Sequence, residues 1–501
     1  MDADVIIVGA GPAGLMLAGE LRLGGARVIV LECLREPTGQ SRGLGFTART
    51  VEVFDQRGLL PQFGDIETAK LGHFGGMVFD YSVFEGAHFG ARSIPQSRTE
   101  DVLGKWAARL GADIRRGWEF VELSGDDNGV DVVSRTSRGM ERLRAAYLVG
   151  CDGGQSTVRK AAGFDFPGTS ATCEMYLADV AGCDLRPRFL GERVSGGMVM
   201  AAPLGGGVDR IIVCERGAPA RDHTESPSFA EVAAAWGRLT GEDIQEGTPA
   251  WVSSFTDATR QVTEYRRGRV LLAGDAAHIH LPAGGQGLSA GVQDAVNLGW
   301  KLAAVVRGWA PSGLLDTYHS ERHPVGARLL MNTRAQGILF LSGEEIEPLR
   351  ELFAELIEFE DVSRHLAGMV SHLEIRYDVG TGSHPLLGRR VPRRKLRSAA
   401  GEIISTTELL HPAQGVFIDI VGDAELCELT SAWADRVRIV TATPDAWDKE
   451  DGFIEPAAML IRPDGYIAGM PTDTEELSTA LYRWFGSPVP EGSVSDAAVP
   501  G

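Results

Sequence analysis

Glycines 9, 11 and 14, in the string Gly9-Ala10-Gly11-Pro12-Ala13-Gly14, stand directly after a β-branched run and open a helical pattern. That spacing suits a turn folded around a pyrophosphate. Gly9 permits the tight bend, Gly11 lets the phosphates approach the main chain, and Gly14 lets strand and helix pack closely. Pro12, at the first helical position with Ala13 beside it, gives up no needed donor. The free N–H groups and positive end of that helix, worth roughly half a charge, face the ligand. Glu32 follows about 20 residues later at the end of a second strand, where its carboxylate accepts hydrogen bonds from an adenosine ribose and repels a 2′-phosphate. The site reads as one for FAD or NAD rather than NADP.

A second constellation runs Gly274-Asp275-Ala276-Ala277-His278-Ile279-His280-Leu281-Pro282-Ala283-Gly284-Gly285-Gln286-Gly287. A carboxylate after a buried strand, then a proline and a glycine cluster opening a long helix, suits a second contact with an extended dinucleotide. Asp275 is placed to bind a ribityl hydroxyl. Main-chain N–H groups from Gly285 through Gln286 and Gly287 to Leu288 face the N1–C2=O edge of a flavin, where the helix dipole stabilises negative charge on the reduced ring.

The elements that must position these residues follow from periodicity. Residues 5–8 read as a strand, 12–23 as a helix with Leu15, Leu17 and Leu21 apolar, and 27–31 as a second strand, which together make a βαβ unit. Residues 269–273 form another buried strand that feeds a helix over 287–306. Between these blocks, 197–202 and 210–214 alternate like strands of a sheet inserted into the nucleotide-binding unit. After residue 380 the pattern resets, with strands at 415–420, 437–440 and 457–461, the turn Arg462-Pro463-Asp464-Gly465, and a final helix.

Composition narrows the class. The 501 residues carry a net charge of −19 and are 44% hydrophobic, and no apolar run approaches the ~18 residues a membrane span needs. A soluble globular chain is expected, with neither nucleic acid nor membrane as partner. The start MDADVIIVGAG is acidic where an export signal would be basic, so a cytoplasmic location is expected. Six cysteines without CxxC or zinc-type spacing read as buried core thiols in a reducing compartment.

Together the two glycine segments resemble those of the class A flavoprotein monooxygenases, the aromatic hydroxylases. Three further motifs carry the resemblance: Asp152-Gly153 in CDGGQSTVR, Arg42 in SRG, and Gln96 in PQS. The strings SRGLGFTARTVEVFDQRGLL and RQVTEYRRGRVLLAGDAAHIHLPAGGQG are similar to those of bacterial hydroxylases that tailor aromatic polyketides, angucyclines especially. The resemblance implies an α/β chain with a discontinuous FAD-binding, Rossmann-like domain of glutathione-reductase type over 1–70, 97–175 and 260–385. It implies an inserted substrate-binding sheet domain over 71–96 and 176–259, a thioredoxin-like C-terminal domain over 386–486, and a flexible tail over 487–501.

The same resemblance implies FAD and NADPH as cofactors and dioxygen as co-substrate, with hydroxylation of a polycyclic aromatic small molecule through a flavin C4a-hydroperoxide. An FAD-dependent Baeyer–Villiger oxygenase is the alternative; an oxygen-independent flavin reductase and a non-catalytic binding protein are weaker rivals. A homodimer is left open. Arg42, Gln96, Val121, Asp152, Gly153, Gly274 and Cys33 are expected cofactor contacts. Arg42 and the main chain of Pro282, Gly284 and Gly285 are expected to shape the flavin C4a side. Phe74, Phe79, Met198, Met200, Cys214 and His280 are expected to line the substrate pocket.

Three departures stand out: Cys33 where relatives carry Arg, Ser289 where they carry Asn, and Gly469 where they carry Trp. His319 and His323, four apart, lack the glutamate of HExxH and read as a structural pair, so no metal is expected. Ser156 sits in no nucleophile elbow. The basic run 389–395 reads as a solvated linker in an acidic chain.

Overall fold

The computed structural model describes all residues except 41, 85–86, 219, 221–225, 399, 445–455 and 489–501. Ser41 of the SRG motif and most of the expected tail lie outside the described residues.

The β-branched run at the N-terminus becomes the strand Ala3–Val8, buried on both faces at the centre of a parallel sheet. Its parallel strands run in the order Val270–Leu272, Gly139–Gly150, Ala3–Val8, Val28–Glu32 and Asp113–Arg116, and the antiparallel strands Arg266–Arg267, Gly129–Thr136 and Glu119–Asp126 complete eight. Register aligns Val8 with Leu31 and Gly150, and Gly150 with Leu272. The strands therefore end together, and the loops after them, which carry Gly9, Cys33, Asp152 and Asp275, leave from one edge. In open parallel sheets that edge is where ligands bind.

The helices Pro12–Leu23 and Gly287–Val306 lie side by side. Their contact needs small residues: a Cβ on Gly291 would stand 3.3 Å from the Ala13 Cβ, and one on Gly24 would stand 2.3 Å from that of Ala303. Because early residues meet early and late meet late, the helices run parallel. On the other side of the first helix, a Cβ on Gly19 would overlap Trp106 of the helix Gln96–Arg109.

A second lobe is a five-stranded antiparallel sheet ordered Arg188–Val194, Gly197–Gly205, Val208–Glu215, Glu174–Ala181 and Thr248–Thr256. Alternation splits its side chains. Val180, Val199, Ala201, Ile211 and Val213 pack on Trp236 of the helix Phe229–Thr240, which a Ser228/Glu231 capping box starts. Met175, Cys214, Ile212 and Phe255 take the opposite face, against Leu281 and Ala283 of the second glycine segment. The hairpin Leu71–Asp80 does not join this sheet and packs instead on the helices Glu347–Ile357 and Glu360–Ser371.

The C-terminal lobe is a six-stranded mixed sheet with the helices Ala424–Ser431 and Thr474–Phe485. Its turn 462–465 enters the first lobe. Arg462, fully buried, donates to Glu321 (2.6 and 2.9 Å) and pairs with Asp464, while Lys301 donates to Glu321 at 2.8 Å. Arg49 and Arg57 donate to the carbonyls of Asp464 and Pro463. Burial pulls the Glu321 carboxyl upward, but Arg462 and Lys301 outweigh it and hold it at about 2; burial brings Lys301 down to about 8.

The run 389–395 is solvated only in part: Arg389, Arg393 and Lys395 are exposed, but Arg390 is half-buried and pairs with Glu52 at 2.7 Å, and Val391 is core. Of the six cysteines only Cys151 and Cys214 are buried; Cys33 is exposed and the other three are half-buried. Gly469 backs closely on the final helix, its missing Cβ 3.2 Å from Ala480.

Candidate active site

The first glycine turn is built by three different constraints. Gly9 takes φ +104, and a Cβ there would stand 2.4 Å from the Cys151 carbonyl oxygen. A Cβ on Gly14 would stand 2.0 Å from the Gly9 carbonyl oxygen, so strand and helix touch main chain to main chain. Gly11 has ordinary φ −77 and nothing within 4 Å of its missing Cβ, and it caps the helix Pro12–Leu23 without any side-chain hydrogen bond. The space in front of Gly11 and the uncapped helix end are the two properties that fit a pyrophosphate. Glu32 closes the turn from the side: one carboxylate oxygen accepts from Ala10 N (2.8 Å), the other from Leu34 N (2.9 Å) and Cys33 Sγ (3.3 Å). Burial, then the Glu32 charge, pushes the Cys33 thiol up, so it stays protonated as a donor.

The second turn arrives at the same place. Gly274 takes φ +62, and its missing Cβ would be 3.2 Å from Ala13 of the first motif. Asp275 is exposed, and no hydrogen bond to it is found among the described residues. Asp294 anchors the loop from below, accepting from Gly274 N (3.1 Å), bonded to His278 Nε2 (2.8 Å) and accepting from Arg322 Nε (2.6 Å). Burial opposes its charge, but Arg322 and His278 hold the carboxyl below its usual range. His278 is thus structural.

His280 Nδ1 bonds the Leu281 carbonyl at 2.7 Å, which leaves Nε2 over Gly287, 3.4 Å from where a Cβ would be. Burial lowers the His280 pKa, so the ring is neutral with Nε2 an acceptor. Gly284 and Gly285 take φ +70 and +65 in succession, Pro282 and Gly285 are exposed, and Gly285 has open space before it.

Further expected contacts gather around this edge. A Cβ on Gly43 would lie 3.6 Å from Leu288 Cδ1 and 3.7 Å from Gln96 Oε1. Arg42 donates to Ser253 Oγ at 3.1 Å, and its carbonyl accepts from Arg210, which is itself held by Asp179 through two 2.7 Å bonds. The five-stranded sheet therefore holds the Arg42 loop. Val121 is half-buried on the strand after Trp118, whose N–H donates to the Glu32 carbonyl. Asp152 is occupied by its own helix, accepting from Ser156 Oγ and from the N–H groups of Thr157 and Val158, with Gly153 at φ +76 making the bend. Ser156 is the buried cap of that helix, not a nucleophile.

The expected pocket residues divide. Met198 and Met200 lie half-buried on the sheet face that carries Cys214, opposite Leu281. Phe74 and Phe79 are covered by the protein itself. They are 5% and 3% exposed, and Phe74 stacks on Phe353 in the cluster under the hairpin. A hairpin aromatic looks the same in sequence whether helices cover it or a ligand does.

Ser289, noted as a departure, accepts through Oγ from Thr47 N at 2.9 Å, so it ties the start of the long helix to Thr47. Reading the sequence also missed residues. Asn332 and Gln336 are wholly buried near the glycine loop, and their only sequence signal is uncharged amides spaced four apart in a long helix. Among the described residues no group of His, Cys, Asp and Glu is arranged to hold a metal, and no helix is long and apolar enough to cross a membrane.

The FAD-binding domain model matches residues 2–333, and the model of the aromatic-ring hydroxylase C-terminal domain matches 384–488. The chain belongs to the FAD-dependent aromatic-ring hydroxylases. Among relatives of this hydroxylase, the 12-dehydrotetracycline 5-monooxygenase/anhydrotetracycline 6-monooxygenase of Streptomyces rimosus is 45% identical over 97% of this chain and 100% of its own. Rifampicin monooxygenase of Streptomyces venezuelae is also 45% identical, over 97% and 99%. The crystal structure of CabE, an aromatic hydroxylase from angucycline biosynthesis, superposes with a TM-score of 0.94 at 62% identity, covering 98% of the hydroxylase and 100% of CabE.

Proposed function

We propose that this chain is an FAD-dependent, NAD(P)H-driven hydroxylase of a polycyclic aromatic polyketide of angucycline type. The observation that carries the reading is the convergence of two uncapped helix ends, at Gly11 and at Gly287, on one sheet edge faced by an apolar wall. The 62% identity to CabE over nearly the whole chain supports the substrate class.

In this reading the turn Gly9–Gly14, with Pro12 and Ala13, receives the pyrophosphate and Glu32 the adenosine ribose, with Cys33 and Val121 beside it. Asp275, exposed and unpartnered, takes a ribityl hydroxyl. When bound and reduced, FAD supplies the activation of dioxygen and the transfer of one oxygen atom to the arene. The N–H groups of Gly285, Gln286, Gly287 and Leu288 and the positive end of the long helix stabilise negative charge at the edge of the ring. Arg42 and Gln96 approach it from the other side. Pro282, Gly284 and Gly285 shape the face where oxygen reacts, and neutral His280 offers an acceptor rather than a competing charge. Met198, Met200, Ile212, Cys214 and Phe255 form a wall that binds a flat polycycle and excludes water.

The C-terminal lobe, which has no CxxC, acts through packing rather than redox chemistry. The test is NAD(P)H oxidation by the purified flavoprotein in the presence of angucyclinone-type polycyclic phenols under isotopically heavy dioxygen. Stimulated oxidation with one heavy oxygen in the arene is expected. Stimulation with the label found only in hydrogen peroxide and water would contradict the assigned substrate class.

A further inference from the structure

A line of buried amides joins the hairpin Leu71–Asp80 to the glycine loop. Gly75 N donates to Gln336 Oε1 (3.3 Å), Gln336 Nε2 to Asn332 Oδ1 (2.8 Å), Asn332 Nδ2 to Gln286 Oε1 (3.0 Å), and Gln286 Nε2 to the Ala283 carbonyl (3.0 Å). All three side chains are 0% exposed. Gln336 and Asn332 share one face of the helix Thr317–Leu341, being four residues apart.

The ends of this line fix its direction. A main-chain N–H can only donate and a carbonyl can only accept, so every amide between Gly75 and Ala283 has one permitted orientation. Both ends are also clamped. A Cβ on Gly75 would lie 2.6 Å from that of Leu339, and the Gly75 carbonyl accepts from Arg350 at 2.7 Å. At the other end, Gly284 and Gly285 bend the loop through consecutive positive φ angles, and a Cβ on Gly284 would stand 3.2 Å from Gln286 Nε2. A loop with two adjacent left-handed glycines has little of its own to set its height. The amide line supplies that reference from outside.

We infer that Gln336, Asn332 and Gln286 are positioning residues that register the Ala283–Gly287 loop against the hairpin Leu71–Asp80, and so fix the height of the loop assigned to the oxygen-reacting face. This rests on the proposed hydroxylase function for its consequence, but not for its geometry.

The decisive variant is Asn332→Asp, which keeps volume and the acceptor toward Gln336 but, while ionised, has no donor for Gln286. Hydrogen exchange at residues 283–288 in the FAD-loaded protein, and product formed per NAD(P)H consumed, are measured for the wild type, Asn332→Asp and the packing control Leu329→Ala. Exchange in Asn332→Asp is expected to quicken roughly tenfold and coupling to fall by a similar factor, with KM for the arene little changed. Lowering the pH protonates the new carboxyl and restores the donor, so coupling in this variant rises on acidification while that of the wild type does not. Leu329→Ala is expected to lower Tm without either change. Wild-type exchange and coupling in Asn332→Asp, or equal changes in Leu329→Ala, would overturn the inference. Should Asn332→Asp not fold, Gln336→Glu breaks the neighbouring link in the same way. A wild type that hydroxylates nothing would sink the functional reading, while the exchange data would still judge the amide line.

Discussion

Gly299 approaches Glu20 so closely that a Cβ on the glycine would stand 2.4 Å from that of the glutamate. With Ala13 against Gly291 and Gly24 against Ala303, this contact holds two helices from distant parts of the chain in parallel, so that both positive ends face one sheet edge. Steric fit between small residues, rather than any bond between the two glycine turns, makes one site of them.

The glycines of the first motif should therefore separate by role. Gly14→Ala and Gly299→Ala drive a methyl into main chain or a packed side chain, and are expected to cost about 1–3 kcal/mol in denaturant unfolding of the apoprotein. A methyl in Gly11→Ala meets nothing among the described residues, so its unfolding curve should match the wild type while its affinity for FAD falls. A destabilised Gly11→Ala apoprotein with normal FAD affinity would contradict the assignment.

Asp275 has no partner among the described residues, so Asp275→Ala should leave Tm of the apoprotein unchanged. Loss of a charge-assisted hydrogen bond to the ligand should weaken FAD binding by roughly tenfold or more, read by fluorescence titration.

The 462–465 turn places Arg462 among Glu321, Asp464 and Lys301 with no access to water. Arg462→Met leaves buried carboxylates without their main partner and should destabilise the chain by about 3–5 kcal/mol. Replacing Glu321, Asp464 and Lys301 by apolar residues in the same variant removes every charge of the cluster and should recover much of that loss. Urea unfolding of the single and quadruple variants checks both statements.

Burial, assisted by Arg92 in one case and Arg322 in the other, holds His73 down to about 4 and His372 to about 3. Both are neutral in the folded chain and bind protons more readily when it unfolds. Their contribution is thus complete above the unfolded value of ~6.5 and is lost as pH falls toward 4 and then 3. His73→Asn keeps an acceptor for Gly76 N, which bonds Nδ1 at 3.2 Å, and removes the titration. Its stability should fall less steeply between pH 6.5 and 4, measured by urea unfolding across that window.

Local features of the site were readable in the sequence where chemistry demands a residue type at a fixed spacing. Gly9, Gly14 and Gly274 could be read because only glycine tolerates those main-chain contacts, and the helix 287–306 because its pattern is long and uninterrupted. Contacts set by tertiary packing were not. Phe74 and Phe79 alternate as pocket residues would, yet helices from 347–371 cover them. Arg390 sits in a run that looks solvated, yet Glu52, more than three hundred positions away, draws it inward. The amide line has no local signature because its members come from three separate segments.

The central claim is that the turns at Gly11 and Asp275 grip one FAD. Equilibrium titration of the purified apoprotein with FAD, for the wild type, Gly11→Ala, Asp275→Ala and the double variant, tests it most directly. One FAD per wild-type chain and weakened binding in each variant are expected. A colourless chain that ignores added FAD, or single variants that bind it as tightly as the wild type, would contradict it.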